Sequence, residues 1–344
     1  MAEPQVATRA PESDAQESTS TAAANAPPVA ASPATTAATG LSDHCTTDRP
    51  APAGVSSTGE ITKLANVDVY ISKPTDYPHT PSKLLLLLTN GTGVTSINNQ
   101  LQADRFATEG YVVIMPDLFD GDPAPNSRTG IDVPSAGETS SFLDTFKIKA
   151  AEAAKSFLID MWLARHTEEK VMPLLHKVMD ACRDEFADAI STGDGIYAVG
   201  YCFGGKYILL LAAERAVKPE GGGGMPWSAK SETGGGAAEA QNPKTEGPYI
   251  RAGALAHATL VSKTDFEGLK VPVSVVSVED DPMFPDDVRK FGEDYMVNHN
   301  VEHEVQVYPG VPHGFAVVGE YDDENFKSAQ AAAFDQMLKW IKEH

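Results

Sequence analysis

Hydrophobic positions cluster in short runs along the chain, and polar stretches of helical length separate them. The apolar runs are Leu84–Leu88, Tyr111–Met115, Ile196–Val199, Ala252–Ala256, Val271–Val278 and Val305–Tyr308. Each has the length and β-branched or aliphatic character of a buried strand. Between them the period changes. Leu175, Val178, Met179 and Cys182 fall at i, i+3, i+4 and i+7, as do Phe334, Met337, Leu338 and Ile341, so each set predicts one buried helical face. Strands that are nearly all apolar, alternating with helices, predict an α/β fold with a mainly parallel sheet covered on both faces. Two earlier segments, Glu60–Leu64 and Val67–Ile71, predict an antiparallel lead-in. In such a sheet, sites form beyond the carboxyl ends of the strands. Reactive residues should therefore follow strands.

The pattern lapses twice. Residues 1–58 are rich in Ala, Thr, Ser and Pro and poor in large apolar side chains. They cannot bury enough surface to offset the entropy of ordering. A disordered segment is predicted there, with Leu41 to Pro52 draped on a domain spanning residues 59–344. The second lapse, at about 219–247, contains Gly221–Gly224 and Gly234–Gly236 and predicts a flexible surface insertion.

Composition narrows the function classes. The longest strongly apolar run, Leu84 to Leu88, is far short of the about 20 residues that span a bilayer. The N-terminal residues include Glu3, Glu12, Asp14 and Glu17 and hold no apolar core, unlike a secretory or mitochondrial leader. A cytoplasmic location is expected. A net charge of −21 disfavours phosphate backbones and anionic membranes. No nucleic acid and no membrane partner is then expected, which leaves a small molecule as partner of a monomer or homodimer. The three cysteines, Cys45, Cys182 and Cys202, form no CxxC pair, so neither a disulfide framework nor a zinc site is expected. No cofactor and no metal is predicted, because HxH, HExxH and nucleotide-binding glycine fingerprints are all missing.

One segment carries chemistry. Gly200-Tyr201-Cys202-Phe203-Gly204-Gly205 directly follows the strand Ile196–Val199 and directly precedes a helical run, Lys206–Ala216. A strand-to-helix turn this tight forces its central residue to positive φ, and the residues two before and two after must be small. Those are the requirements of the G-x-S-x-G nucleophile elbow, here with cysteine in the serine position. The helix N-terminus would favour a thiolate or an oxyanion. Cys182, on an apolar stripe, is expected in the core.

In α/β-hydrolases the chain order is nucleophile, acid, histidine. His313, in Pro309-Gly-Val-Pro-His313-Gly-Phe315, follows the last strand and is the candidate base. The acid should follow Val271–Val278, where Glu279, Asp280 and Asp281 stand together; Asp281 is favoured and Asp280 is the alternative. It would accept the His313 Nδ1–H and fix the ring. His257 also follows a strand but precedes every acid candidate, so it is expected to pack or support. His166, His176, His299 and His303 are expected at the surface. Oxyanion donors are expected from the Phe203 amide and from the loop Asn90–Gly93, including Asn90, Gly91 and Thr92.

Together these features resemble the dienelactone hydrolase family, especially its fungal members. The resemblance rests on Gly-Tyr-Cys202-Phe-Gly-Gly, Pro116-Asp117-Leu118-Phe119 with Gly121-Asp122, Asp281-Pro-Met-Phe-Pro285 and Pro312-His313-Gly-Phe315. It covers about residues 42 to 344 apart from the Gly-rich insertion. It implies an α/β-hydrolase domain, a Cys–Asp–His triad, and cofactor-independent hydrolysis of enol-lactones or related esters. Two departures shift the expected substrate. Members often place a carboxylate after the first core strand, where this chain reads Thr89-Asn90-Gly91-Thr92-Gly93. Members also tend to carry an arginine after the His-x-Phe segment, where this chain has Ala316-Val317-Val318. A less acidic, bulkier lactone or ester than dienelactone is expected. Rival readings are an acyltransferase or thioesterase on the same triad, and a non-catalytic redox-sensing or scaffold protein.

Overall fold

The computed structural model describes residues 46–125, 154, 156–216 and 245–344. Residues 1–45, Cys45 among them, and the Gly-rich insertion as far as residue 244 lie outside the described residues. An eight-stranded sheet is built from β1 (Glu60–Leu64), β2 (Val67–Ser72), β3 (Lys83–Leu88), β4 (Tyr111–Pro116), β5 (Ile196–Tyr201), β8 (Ala252–Ala256), β9 (Val273–Val278) and β10 (His303–Tyr308). Its order is β1-β2-β4-β3-β5-β8-β9-β10. The pairs β1/β2 and β2/β4 are antiparallel, and every later pair is parallel. Strands β6 (Arg215–Ala216) and β7 (Thr245–Glu246) form a separate short pair.

Both faces of the central sheet are covered, which explains why strands such as β3, β4, β5 and β8 carry no polar alternation. Within β3, Leu84, Leu86 and Leu88 face one core while Leu85 and Leu87 face the other. The first face is packed by α2 (Glu168–Glu185), α3 (Ala187–Gly193) and α4 (Phe203–Ala212), with Leu175, Val178, Met179 and Cys182 forming the expected buried stripe. The second is packed by α1 (Ile97–Thr108) and α6 (Glu324–Glu343), the latter through Phe334, Met337, Leu338 and Ile341. Helix α5 (Asp286–Asn298) joins β9 to β10. Full burial of each leucine is worth about 1.5–3 kcal/mol, so the central strands anchor the loops at their ends.

Two boundaries differ from the sequence expectation. The helix expected at Lys206–Ala216 begins at Phe203 and stops at Ala212, because the chain leaves it to bridge Leu269 at Ala213 and to pair with β7. Residues 46–58, expected within a disordered segment except for the draped part, lie on the domain. Asp48 accepts from Ser96 Oγ at 2.8 Å, Arg49 O accepts from Asn98 at 2.9 Å, and the Thr58 amide reaches Asp104 at 2.7 Å. Backbone and polar side-chain bonds hold this strap, and such bonds leave no hydrophobic pattern to read.

Candidate active site

At the carboxyl end of β5 the chain turns into α4 at one residue. Cys202 has φ 50° and ψ −113°, a conformation outside the ordinary range for a side-chain-bearing residue. Such a residue costs about 1–3 kcal/mol and persists only where its surroundings fix it. The surroundings do so. The Cys202 amide donates to Ala256 O at 3.1 Å, and its carbonyl accepts from Gly205 and Thr259 amides, each at 3.0 Å. Close approach explains the glycines. A Cβ on Gly204 would lie 2.3 Å from Leu88 O, and one on Gly205 would lie 2.7 Å from the Ala258 Cβ. The elbow is therefore clamped between the ends of β3 and β8.

Three loops converge on the Cys202 sulfur. The loop after β9 turns at Asp280, which has φ 54° and is exposed, so that the next residue points inward. Asp281 is buried; its Oδ1 accepts from the Met283 amide at 2.9 Å and its Oδ2 lies 2.6 Å from His313 Nδ1. The alternative acid, Asp280, is thus the hinge rather than the partner of the ring. On the other side of the imidazole, His313 Nε2 is 3.2 Å from Thr259 Oγ1, and that hydroxyl is 3.3 Å from Cys202 Sγ. Asp281, His313, Thr259 and Cys202 form one buried polar line.

Thr259 is the residue that sequence reasoning missed. It stands three residues after β8, within the strand-end zone where reactive groups were expected, but belongs to no motif of its own. His257 is fully buried at φ 37°, with its ring centroid 5.0 Å from that of His313, an edge contact behind the imidazole. It packs, as expected.

The loop after β3 is braced rather than open. Asn90 Oδ1 accepts from the Thr92 amide at 3.2 Å, the Thr92 hydroxyl at 2.7 Å and Asn99 Nδ2 at 2.9 Å. The Gly93 amide donates to Asn90 O at 3.2 Å. The Thr92 and Gly93 amides are thus engaged within the loop, which leaves those of Asn90 and Gly91 as its candidate donors. Phe203 is the first residue of α4, where an amide has no acceptor within the helix. Its ring packs in an aromatic cluster, 5.1 Å from Phe119 and 5.5 Å from Trp162.

The other histidines correct the surface expectation. His303 is buried at the head of β10, with Nδ1 2.8 Å from Val301 O. His166 is mostly enclosed, reaching Trp162 O at 2.8 Å and Phe119 O at 3.2 Å. His176 is half-buried against Tyr249, and burial holds its pKa below the ordinary value. Of the four histidines expected at the surface, His299 alone is exposed. Polar sequence neighbours say little about which way a ring points once a strand or helix is packed. Among the described residues, no group of three His, Cys, Asp or Glu side chains could hold a metal ion, and no helix is long and apolar enough to cross a membrane.

A mostly parallel sheet with a strained residue at a strand–helix elbow, faced by an imidazole–carboxylate pair on later strand-end loops, defines an α/β-hydrolase. The chain belongs to the dienelactone hydrolase family, whose profile matches residues 67–219 and 234–344. It is accordingly a carboxylic ester or lactone hydrolase. Among curated relatives, "Hydrolase tropI" of Talaromyces stipitatus is 26% identical over 286 residues, covering 83% of this chain and 90% of the relative. "Hydrolase pyvD" of Aspergillus violaceofuscus is 25% identical with the same coverage. "Dienlactone hydrolase 1" of Gibberella moniliformis is 24% identical and covers 83% and 87% of the two chains. The fold is shared with a solved putative dienelactone hydrolase from Klebsiella pneumoniae, at 17% identity and TM-score 0.56, covering 84% of this chain and all of that one.

Proposed function

We propose that Cys202 is the nucleophile, His313 the base and Asp281 its orienting acid in hydrolysis through an acyl-thioester. The carrying observation is the unbroken line of contacts from Asp281 through His313 to the Cys202 sulfur, ending on a residue held at positive φ. Burial of the Asp281 carboxylate against His313 Nδ1 favours the tautomer whose Nε2 accepts a proton.

Proton transfer from the thiol to the imidazole gives a thiolate–imidazolium pair. The sulfur attacks the carbonyl carbon, and the C–O π pair moves to oxygen. The Phe203 amide and an amide of Asn90 or Gly91 hold that oxyanion; one such donor is typically worth about 10²–10³ in rate. Collapse breaks the bond to the leaving oxygen or sulfur, which takes the His313 proton. Water, deprotonated by the same ring, then cleaves the thioester. Lactones, activated esters and thioesters suit a thiolate nucleophile, whereas amides, with a poor leaving amine, do not. The loop after β3 carries no acid and the segment after His313 is Ala316-Val317-Val318, both of which favour a substrate without a carboxylate.

Incubation with a panel of lactones and esters, followed by intact-mass measurement, tests this reading. An acyl-sized mass gain is expected on the wild type and none on Cys202→Ala. Turnover retained by Cys202→Ala would overturn it. Turnover that requires an added alcohol, amine or thiol would instead make the protein an acyltransferase.

A further inference from the structure

The assignment of Cys202 and His313 leaves the Thr259 hydroxyl without a role, although it touches both reacting atoms. Its place is built, not incidental. The Thr259 amide donates to the Cys202 carbonyl at 3.0 Å, so the elbow itself fixes the threonine's backbone. Gly205 lets α4 press against Ala258, the preceding residue, where any side chain would collide. Thr259 is buried, as are Cys202 and His313, and its Oγ1 stands 3.3 Å from Sγ and 3.2 Å from Nε2. A core position lined by aliphatic side chains would be served by valine, which has the same shape. A buried hydroxyl is retained at no cost only where it is hydrogen-bonded, and here its partners are the nucleophile and the base.

We propose that Thr259 is a proton-relay residue between Cys202 and His313, an inference that rests on the triad reading above. In the resting state the Asp281 carboxylate accepts the Nδ1–H, so Nε2 can only accept. The Thr259 O–H donates to Nε2, and its oxygen accepts the Cys202 S–H. Activation moves two protons along the line. The S–H bond breaks as an O–H bond forms on Thr259, while the original threonine O–H bond breaks as an N–H bond forms on His313. The hydroxyl is regenerated with its proton turned toward the sulfur. The thiolate thereby gains a donor, and the imidazolium N–H gains an acceptor. No oxidant, reductant or further reactant is needed.

Changing Thr259 to valine or serine removes none of the charged or titratable groups around this line. They are Asp281 and His313 within it, His257 behind the ring at 5.0 Å, and Lys206 on α4, tied to Asp265 at 2.6 Å. A shift seen in a Thr259 variant therefore reports the hydroxyl. The experiment compares Thr259→Val with Thr259→Ser, with Thr259→Ala in reserve should valine disturb the fold. Two quantities are read: the pH profile of iodoacetamide alkylation at Cys202, and kcat/KM for a p-nitrophenyl ester. Loss of the hydroxyl is expected to move the alkylation midpoint to higher pH and to lower kcat/KM at neutral pH about ten- to a hundredfold, in the range of a lost proton-transfer partner. Thr259→Ser should remain within about threefold of the wild type on the same scale. An unmoved alkylation midpoint in Thr259→Val, or a serine variant as impaired as the valine one, would reduce the threonine to packing. Failure of the triad reading looks different, because Cys202→Ala would then still hydrolyse the ester.

Discussion

Cys182 and Cys202 are each only 1% exposed, yet they sit in opposite chemical surroundings. Cys182 lies on the buried stripe of α2 among aliphatic side chains, and burial pushes its thiol up to about 12 from the ordinary value of 9.0. Cys202 lies at a helix N-terminus, with a hydroxyl 3.3 Å from its sulfur and an imidazole one step beyond. On the triad proposed above, burial alone does not set a thiol's reactivity. Desolvation penalises the thiolate wherever no partner replaces water, and at the elbow the loops after β8, β9 and β10 supply the partners. The same depth yields a small hydrophobe in one place and a candidate nucleophile in the other.

Mutation of the two cysteines should separate them most widely. Cys202→Ala is expected to reduce p-nitrophenyl ester hydrolysis by more than about 10³-fold, as removal of a nucleophile does. Cys182→Ala should leave kcat/KM within about twofold, since no reacting atom is touched. Equal losses in the two variants would erase the contrast. Next in size comes the line proposed to activate Cys202. His313→Ala should lower kcat/KM by about 10²–10⁴. Asp281→Asn, which keeps the shape but offers the ring an amide, should lower it by about 10–10³. Asp280→Asn, at an exposed turn, should have little effect; a loss there as large as at Asp281 would reassign the acid.

The elements on which this contrast stands were unevenly legible in the sequence. The core strands were legible because burial on both faces leaves unbroken aliphatic runs, as in Leu84–Leu88. The elbow was legible because a tight strand-to-helix turn demands glycine at fixed offsets from Cys202. His313 followed from chain order, and Asp281 from its place after β9, although only the positive-φ turn at Asp280 shows why the second aspartate points inward. Thr259 was not legible. Its contacts join residues 57 and 54 positions away, and a threonine after a strand carries no periodic or compositional signal. The same holds for His303, whose burial depends on packing at the head of β10 rather than on its polar neighbours.

The smallest expected effects concern stability and fall on the inert cysteine. Cys182→Ala removes one buried sulfur from a packed face and should cost about 1–2 kcal/mol in urea unfolding, near the low end for core truncation. It should also change the response to alkali. The folded thiol keeps its proton to about pH 12, whereas the unfolded one releases it near 9.0. Between those values the folded state binds more protons, so stability falls as pH rises and is unaffected by this group below about pH 9. Tyr111, Tyr201 and Tyr207, whose burial also raises their pKa, push in the same direction and remain in the variant. Cys182→Ala should therefore reduce the alkaline slope by about one proton, roughly 1.4 kcal/mol per pH unit, without abolishing it. A variant with the wild-type slope would mean that the α2 thiol already ionises in the folded state, and the difference between the two buried cysteines would then be one of position rather than of chemistry.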